Sequence, residues 1–229
     1  MLNVFRPSCV CSILFCLFAT LGATTALAQY DESTIPPALS NQLDRIDLAV
    51  SGVGIFNHSS TGTAIVNGAS TNVALSPGNT LGALVTLRYV VKPLVGFEFN
   101  FGYSRYTNTF SPFGAQPIGG VQQNAREYTL GYVAHAPHPF FGVTPFLAVG
   151  AGTTAFRPTT YGGQSLLEQA RATYYYAAGA ETTLGSPHFG VRAQIRQAFF
   201  LAPDYGQNYL TILKHTSTFE PGFGFFVRF

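Results

Sequence analysis

The last eleven residues, FEPGFGFFVRF, alternate so regularly that few structures accommodate them. Phe219, Pro221, Phe223, Phe225, Val227 and Phe229 share one face of an extended chain, and Glu220, Gly222, Gly224, Phe226 and Arg228 share the other. A helix would mix the two sets, whereas a strand separates an oily face from a polar one. The pattern recurs upstream. Val95, Phe97, Phe99, Phe101 and Tyr103 lie opposite Gly96, Glu98, Asn100, Gly102 and Ser104. In 188–200, Phe189, Val191, Ala193, Ile195 and Phe199 lie opposite Arg192, Gln194 and Arg196.

Strand-like segments rich in Val, Phe, Tyr, Thr and Ala are expected at 46–57, 80–92, 94–107, 124–135, 142–156, 171–185, 188–200 and 215–229. Tight connections around Pro93, Pro137 to Pro139 and Ser186-Pro187 alternate with longer polar ones at 58–79, 108–123, 157–170 and 201–214. An even number of strands with sorted short turns and long loops describes a closed, up-and-down antiparallel transmembrane β-barrel of about eight strands, an all-β fold. Short turns on the inner side of an outer membrane put both termini in the periplasm. Composition agrees. Only 10% of residues are charged and 47% are apolar, too apolar for a disordered chain and poor in charge for a water-soluble surface. The net charge is +2 and no cluster of Lys or Arg stands out, which excludes nucleic acid as a partner.

Hairpin parity indicates which face points inward. Symmetric pairing about Pro93 sets Tyr89 against Phe97, Leu87 against Phe99 and Val85 against Phe101, with Arg88 facing Glu98 on the polar side. A two-residue turn at Ser186-Pro187 pairs Leu184 with Phe189 and Thr182 with Val191, and sets Glu181 opposite Arg192. Closure of the last strand on the first brings Asp47 near Arg228. Such pairs suit either a solvated surface or the lumen of a narrow barrel, where charges must neutralise one another. The lumenal reading gives a network of Asp47, Arg88, Glu98, Glu127, Glu181, Arg192, Arg196, Glu220 and Arg228.

The N-terminus reads as an export signal. Arg6 precedes an apolar stretch from Val10 to Phe18, and Ala26-Leu27-Ala28 supplies the small residues of a cleavage site. The alternative, an anchoring helix, needs ~20 apolar residues, more than the run provides. The expected organisation is therefore a signal peptide at 1–28, a periplasmic leader at 29–45 and the barrel at 46–229. All three cysteines, Cys9, Cys11 and Cys16, fall in the signal, so the mature barrel is expected to hold without disulfides.

These features, from Ala26-Leu27-Ala28 through the alternating strands to Phe229, resemble the OmpA-like transmembrane β-barrel family of small outer-membrane proteins. The resemblance implies that Phe223, Phe225, Val227 and Phe229 form the terminal signal read by the outer-membrane insertion machinery. It implies outer-membrane lipid and lipopolysaccharide as the surroundings. The peptidoglycan-binding domain of larger members is missing from this sequence. With no Trp in the chain, interfacial girdles would draw on Tyr89, Tyr103, Tyr106, Tyr128 and Tyr132. Pro145 and Pro221 fall inside expected strands, where a bulge or kink is anticipated.

Candidate chemistry is sparse, and no cofactor is expected. His215 and Ser217 resemble the His-x-Ser of outer-membrane lipid A deacylases, but the only nearby acid, Glu220, falls on the opposite face. His135 and His138 flank Pro137 and Pro139 and are too few for a metal site, so turn composition explains them. Gly150-Ala151-Gly152 and Gly222-Phe223-Gly224 open no helix and so make no phosphate loop. Three readings remain: a non-enzymatic barrel serving envelope structure or surface contact through its long loops, whose ligand the sequence does not name; a narrow channel for ions or small solutes; and a lipid-modifying enzyme.

Overall fold

The computed structural model describes residues 42–66, 68–92, 94–112, 119–207 and 210–229. The expected signal peptide with Ala26 and Ala28, most of the leader, and Pro93 lie outside the described residues. Ten strands appear: β1 Ile46–Asn57, β2 Ser60–Val66, β3 Ala69–Pro77, β4 Thr80–Lys92, β5 Val95–Pro112, β6 Gly119–His135, β7 Thr144–Pro158, β8 Gln169–Ser186, β9 Phe189–Leu201 and β10 His215–Arg228. Eight of them, β1 and β4 to β10, pair antiparallel in chain order, and β10 pairs back onto β1 from Asp47↔Arg228 to Asn57↔Thr218. Closure leaves the wall without a free edge.

The remaining two strands change the expected loop at 58–79. They form a hairpin, β2 with β3, whose β3 also pairs the upper end of β5 from Val73↔Pro112 to Pro77↔Asn108. Val66 pairs Ala69, the spacing of a two-residue turn, and Gly68 takes the positive φ (79°) such a turn demands. The expected loop at 108–123 shrinks as well, because β5 runs on to Pro112 and β6 begins at Gly119. Asn108, Gln122, Gln123 and Asn124 resemble loop composition because this part of the wall carries polar side chains on both faces.

Register follows parity closely on the Pro93 side: Tyr89↔Phe97, Leu87↔Phe99, Val85↔Phe101 and Arg88↔Glu98 are partners. At the β8–β9 turn Glu181↔Arg192 and Thr182↔Val191 pair as expected. Leu184 does not pair Phe189, however. The turn residues are Pro187 and His188, Ser186 pairs Phe189, and the extra residues are absorbed by an irregularity where Gly185 adopts φ 67°. No bulge forms at either internal proline. The β7–β8 ladder continues through Pro145↔Ala180, and on the β6 side it ends one residue away at His135↔Phe146, where no N–H is required. Pairing of β1 with β10 skips from Val53↔Gly222 to Phe56↔Phe219, so Pro221 interrupts the ladder and leaves the register unshifted.

The outer wall is apolar. Phe97, Phe99, Leu130, Tyr132, Leu147, Val149, Ile195, Phe223, Phe225 and Phe229 are all exposed, an arrangement that water would penalise and a hydrocarbon layer would not. Tyr103, Tyr128 and Tyr132 point outward as girdle residues. Tyr106 does not: it is buried inside, as its even position on β5 requires.

Candidate functional site

The inner face is where the charged side chains meet. Asp47, Arg88, Glu98, Glu127, Glu181, Arg192, Arg196 and Glu220 are all buried there, and Arg228 is part-exposed at the mouth where β1 begins and β10 ends, here the near mouth. They form two clusters. In the lower one Glu181 is the hub. Its Oε2 accepts from Arg88 Nη1 (3.1 Å) and Arg192 Nε (3.0 Å), and Arg228 Nη2 lies 3.4 Å from Oε1. Arg88 also donates from Nη2 to Glu98 Oε2 (2.9 Å), and Arg192 Nη2 to Asp47 Oδ1 (2.9 Å). Asp47 and Arg228 are thus strand partners without being an ion pair, since each carboxylate is drawn to the guanidinium that reaches further into the lumen.

Higher in the barrel, Arg196 joins Glu127 and Glu220. Its Nη1 lies 3.1 Å from Glu127 Oε2 and 2.5 Å from Glu220 Oε2, and its Nη2 contacts Glu127 Oε1. Thr129 and Thr218 hydroxyls donate to the same two carboxylates. Tyr175 bridges the clusters. Its ring lies 4.3 Å from the Arg196 guanidinium, its hydroxyl donates to Glu98 Oε1 (2.8 Å) and accepts from Asn100 Nδ2 (2.9 Å). Room for that ring comes from Gly150, where a Cβ would stand 2.5 Å from Tyr175 Cε1. The Gly150 and Gly152 pair is therefore a packing device.

Three members of this arrangement escaped the sequence reading: Tyr175, Asn100 and His135. His135 is not a turn residue but the last residue of β6; its Nε2 lies 3.2 Å from Arg88 Nη1 and 3.6 Å from Glu181 Oε1. Parity was the available signal, because Tyr175 lies six residues from Glu181 and so on the same face. Below the lower cluster a cup of about 420 Å³, lined by Asp44, Arg45, His135, Glu181 and Arg228, opens at the near mouth.

Above the upper cluster the lumen turns apolar. Phe110, Val121, Phe156 and Phe200 point inward, and the 202–214 connection folds Tyr205, Leu210 and Ile212 down upon them. The Tyr205 hydroxyl donates to Gln123 Oε1 and accepts from Asn108 Nδ2 (2.7 Å). Asp204 pins the connection. It accepts from Gln169 Nε2 (2.6 Å), the Gly206 amide (3.1 Å) and the Thr211 hydroxyl (3.1 Å), and pairs with Arg171 (3.0 Å). Burial alone would raise the Asp204 pKa, but the Gln169 and Gly206 hydrogen bonds, with Arg171 and Thr211, outweigh it and hold it below the usual carboxylate range. Between this cap and the Arg196 cluster remains a cavity of about 40 Å³.

The other candidates separate in space. His215 and Ser217 are on the outer face, whereas Glu220 is inside and bound to Arg196, so the three do not meet. His138 is exposed in its turn, and among the described residues no group of three or more His, Cys, Asp or Glu converges as metal ligands would.

An eight-stranded closed antiparallel wall, apolar outside and charged within, is a small transmembrane β-barrel, the architecture implied by the resemblance to OmpA-like proteins. The outer membrane protein OprG from Pseudomonas aeruginosa has a similar structure, with a TM-score of 0.57 at 13% identity over 80% of this chain and 95% of that one. So has Neisserial surface protein A (NspA), with a TM-score of 0.52 at 12% identity over 80% of this chain and 97% of that one. At such identities the likeness is one of fold. No protein-family model matches the chain, and neither does any curated protein sequence.

Proposed function

We propose that the chain is a non-enzymatic barrel of the bacterial outer membrane, with both termini periplasmic, serving envelope structure or surface contact through its far mouth. The observation that carries this reading is the filled lumen. Two ion-pair clusters and a cap of Tyr205, Leu210 and Ile212 occupy it in series, and the hairpin of β2 and β3, paired to β5 and packed on that cap through Ala64, Val73 and Leu75, extends the far mouth as a presenting element. The location rests on the apolar wall and on the fold shared with OprG, itself an outer membrane protein. Outer-membrane lipid and lipopolysaccharide are the partners this wall suits, and the outward row Phe223, Phe225, Val227 and Phe229 suits recognition by the insertion machinery.

A second reading, a narrow channel, draws support from one feature: Asp47 Oδ2, His135 Nδ1, Arg192 Nη1 and Arg196 Nε are buried without a hydrogen-bond partner among the described residues, as groups served by lumenal water would be. Planar-bilayer recording on the refolded protein separates the two. The structural reading expects no discrete conductance, and openings altered by Arg192→Ala would overturn it. Fractionation of the expressing cell tests the location, because recovery in the soluble periplasm would end the outer-membrane reading. Unchanged lipid A acyl chains on expression are expected of a non-enzymatic barrel.

A further inference from the structure

Among the described side chains, charge on the outer wall is confined to one place. The strand residues of Asp, Glu, Lys and Arg type described as pointing outward are Arg105, Arg126 and Arg157, on the adjacent strands β5, β6 and β7. Their register makes them a group. Arg105 pairs Asn124, and Asn124 pairs Arg157 on its other side, so the three form a row across the sheet. Arg126 sits two residues from Asn124 on the same outward face, one step below that row. Arg105 and Arg157 are two strand spacings apart, ~9.5 Å, and Arg126 is the third corner of the triangle.

The group borders a cleft of about 310 Å³ whose floor is fixed. Arg105 Nη2 donates to Gln122 Oε1 (2.6 Å), and the Thr159 hydroxyl donates to that same oxygen (3.1 Å). Backbone bonds from Gln122 N to Gly162 O and from Thr159 N to Gln122 O hold the connection against β6. Opposing charge is scarce. Arg157 approaches Glu168 at 3.7 Å, with both side chains more than half exposed, and among the described residues no acid pairs with Arg126. A pair so exposed contributes little.

Height along the wall indicates the occupant. Arg105 follows Val95 by ten residues on β5, which is ~33 Å of strand, or ~25 Å along the axis of a barrel tilted by ~40°, the height of an apolar band. Directly below lie Phe101, Tyr103 and Tyr128, with the Phe101 and Tyr128 rings 5.2 Å apart. We infer that Arg105, Arg126 and Arg157 form a binding site for the phosphate-bearing headgroup of an outer-leaflet lipid, whose acyl chains lie against the aromatic wall beneath. Guanidinium groups match phosphate geometry in a bidentate manner, and three around one cleft supply the positive field that such a headgroup requires. A soluble anion would find the arginines but would have no use for the apolar wall. This inference rests on the outer-membrane reading proposed above.

The test uses the refolded protein in detergent micelles, titrated with lipid A carrying its phosphates and with the same lipid A after enzymatic dephosphorylation, bound lipid being resolved by native mass spectrometry. Phosphate removal is expected to weaken binding by about 100-fold, as is the triple variant Arg105→Gln/Arg126→Gln/Arg157→Gln, with about fivefold for each single change. Lys214→Gln should leave binding unaltered. Equal binding of the two lipids overturns the site, and so does displacement of lipid A by inorganic phosphate alone, which would mark a bare anion site. If the triple variant does not fold, the comparison of the two lipids on the unmodified protein still decides. Failure of the unmodified protein to insert in vesicles in a heat-modifiable form would instead refute the barrel's membrane placement.

Discussion

Replacing Arg196 by Leu removes the cation from the centre of the barrel and leaves two carboxylates facing each other. Arg196 is 2% exposed and serves Glu127 and Glu220 at once, so neither acid has another cationic partner within the upper cluster. Deleting one partner of a buried ion pair costs ~3–5 kcal/mol because the other charge is stranded. Water can offset only part of this, since the adjoining cavity of about 40 Å³ admits about one or two molecules. A loss of ~4 kcal/mol, about a thousandfold in the ratio of folded to unfolded protein, is therefore expected for Arg196→Leu at neutral pH. Urea unfolding in phospholipid vesicles measures it, read by the mobility of unheated samples because the chain has no Trp for fluorescence. The compensated variant Arg196→Leu/Glu127→Gln/Glu220→Gln strands no charge and should regain at least half of the loss. A single-variant cost below ~1 kcal/mol, the range of an exposed pair, would refute the closed and desolvated lumen. So would a triple variant as unstable as the single one.

Three further outcomes follow from the cap and the packing. Tyr205→Ala empties the apolar far mouth and should cost ~3–5 kcal/mol by the same unfolding assay, with faster protease cleavage within 202–214. The folded Asp204 carboxyl is the stronger acid, so its anchoring contribution is complete above the unfolded value near ~4 and is lost as pH falls through the lower folded value. Protection factors of the described amides in 202–214, taken relative to the intrinsic exchange rate at each pH, should fall on that acid side, and Asp204→Asn should show low protection at every pH. Gly150→Val sets a side chain against both the Leu130 carbonyl oxygen, 2.4 Å from the added Cβ, and the Tyr175 ring at 2.5 Å, and should destabilise by ~1–3 kcal/mol; an unchanged urea midpoint would show that β6 and β7 are not held this close.

The eight staves of the barrel were legible from their strand-like composition and a two-residue period clearest in three of them, and two hairpins each matched an acid to a base on the polar parity, the face that the structure turns inward. Arg88↔Glu98 and Glu181↔Arg192 came from the same reasoning. It failed where the period carries no contrast. The upper halves of β5 and β6 have polar residues on both faces, so Asn108 and Gln122 to Asn124 looked like loop. The hairpin of β2 and β3 was concealed by short, Thr- and Ser-rich strands, though Asn67-Gly68 flanked by Ile65-Val66 and Ala69 is a strong turn signal. Partner choice was legible within a hairpin, where Arg88–Glu98 and Glu181–Arg192 are ion pairs, but not across the lumen. Strand register places Asp47 beside Arg228, but long arginine side chains reach across the lumen, so Asp47 pairs Arg192 and Arg228 pairs Glu181.

The same period explains why a net charge of +2 is a poor guide to this molecule. Inside, among the described residues, six carboxylates, Asp47, Glu98, Glu127, Glu181, Asp204 and Glu220, meet five guanidinium groups, Arg88, Arg171, Arg192, Arg196 and Arg228, leaving 6 − 5 = 1 negative charge. Outside, Arg105, Arg126 and Arg157 face a single weakly held acid, Glu168. Near-neutrality of the whole thus conceals two separate fields. The three outer arginines are dispersed along the chain, which is why no basic run appears; yet Arg105 shares parity with Tyr103, Arg126 with Tyr128, and Arg157 with Val149. Antiparallel pairing of β5, β6 and β7 converts that shared parity into proximity. A charge on a wall otherwise selected for hydrocarbon is costly unless it lies at the edge of the band, where a long side chain can reach the headgroups. The outward arginines lie at that edge and the acids lie inside, so the sorting of charge between the two faces serves both the closed lumen and the membrane boundary.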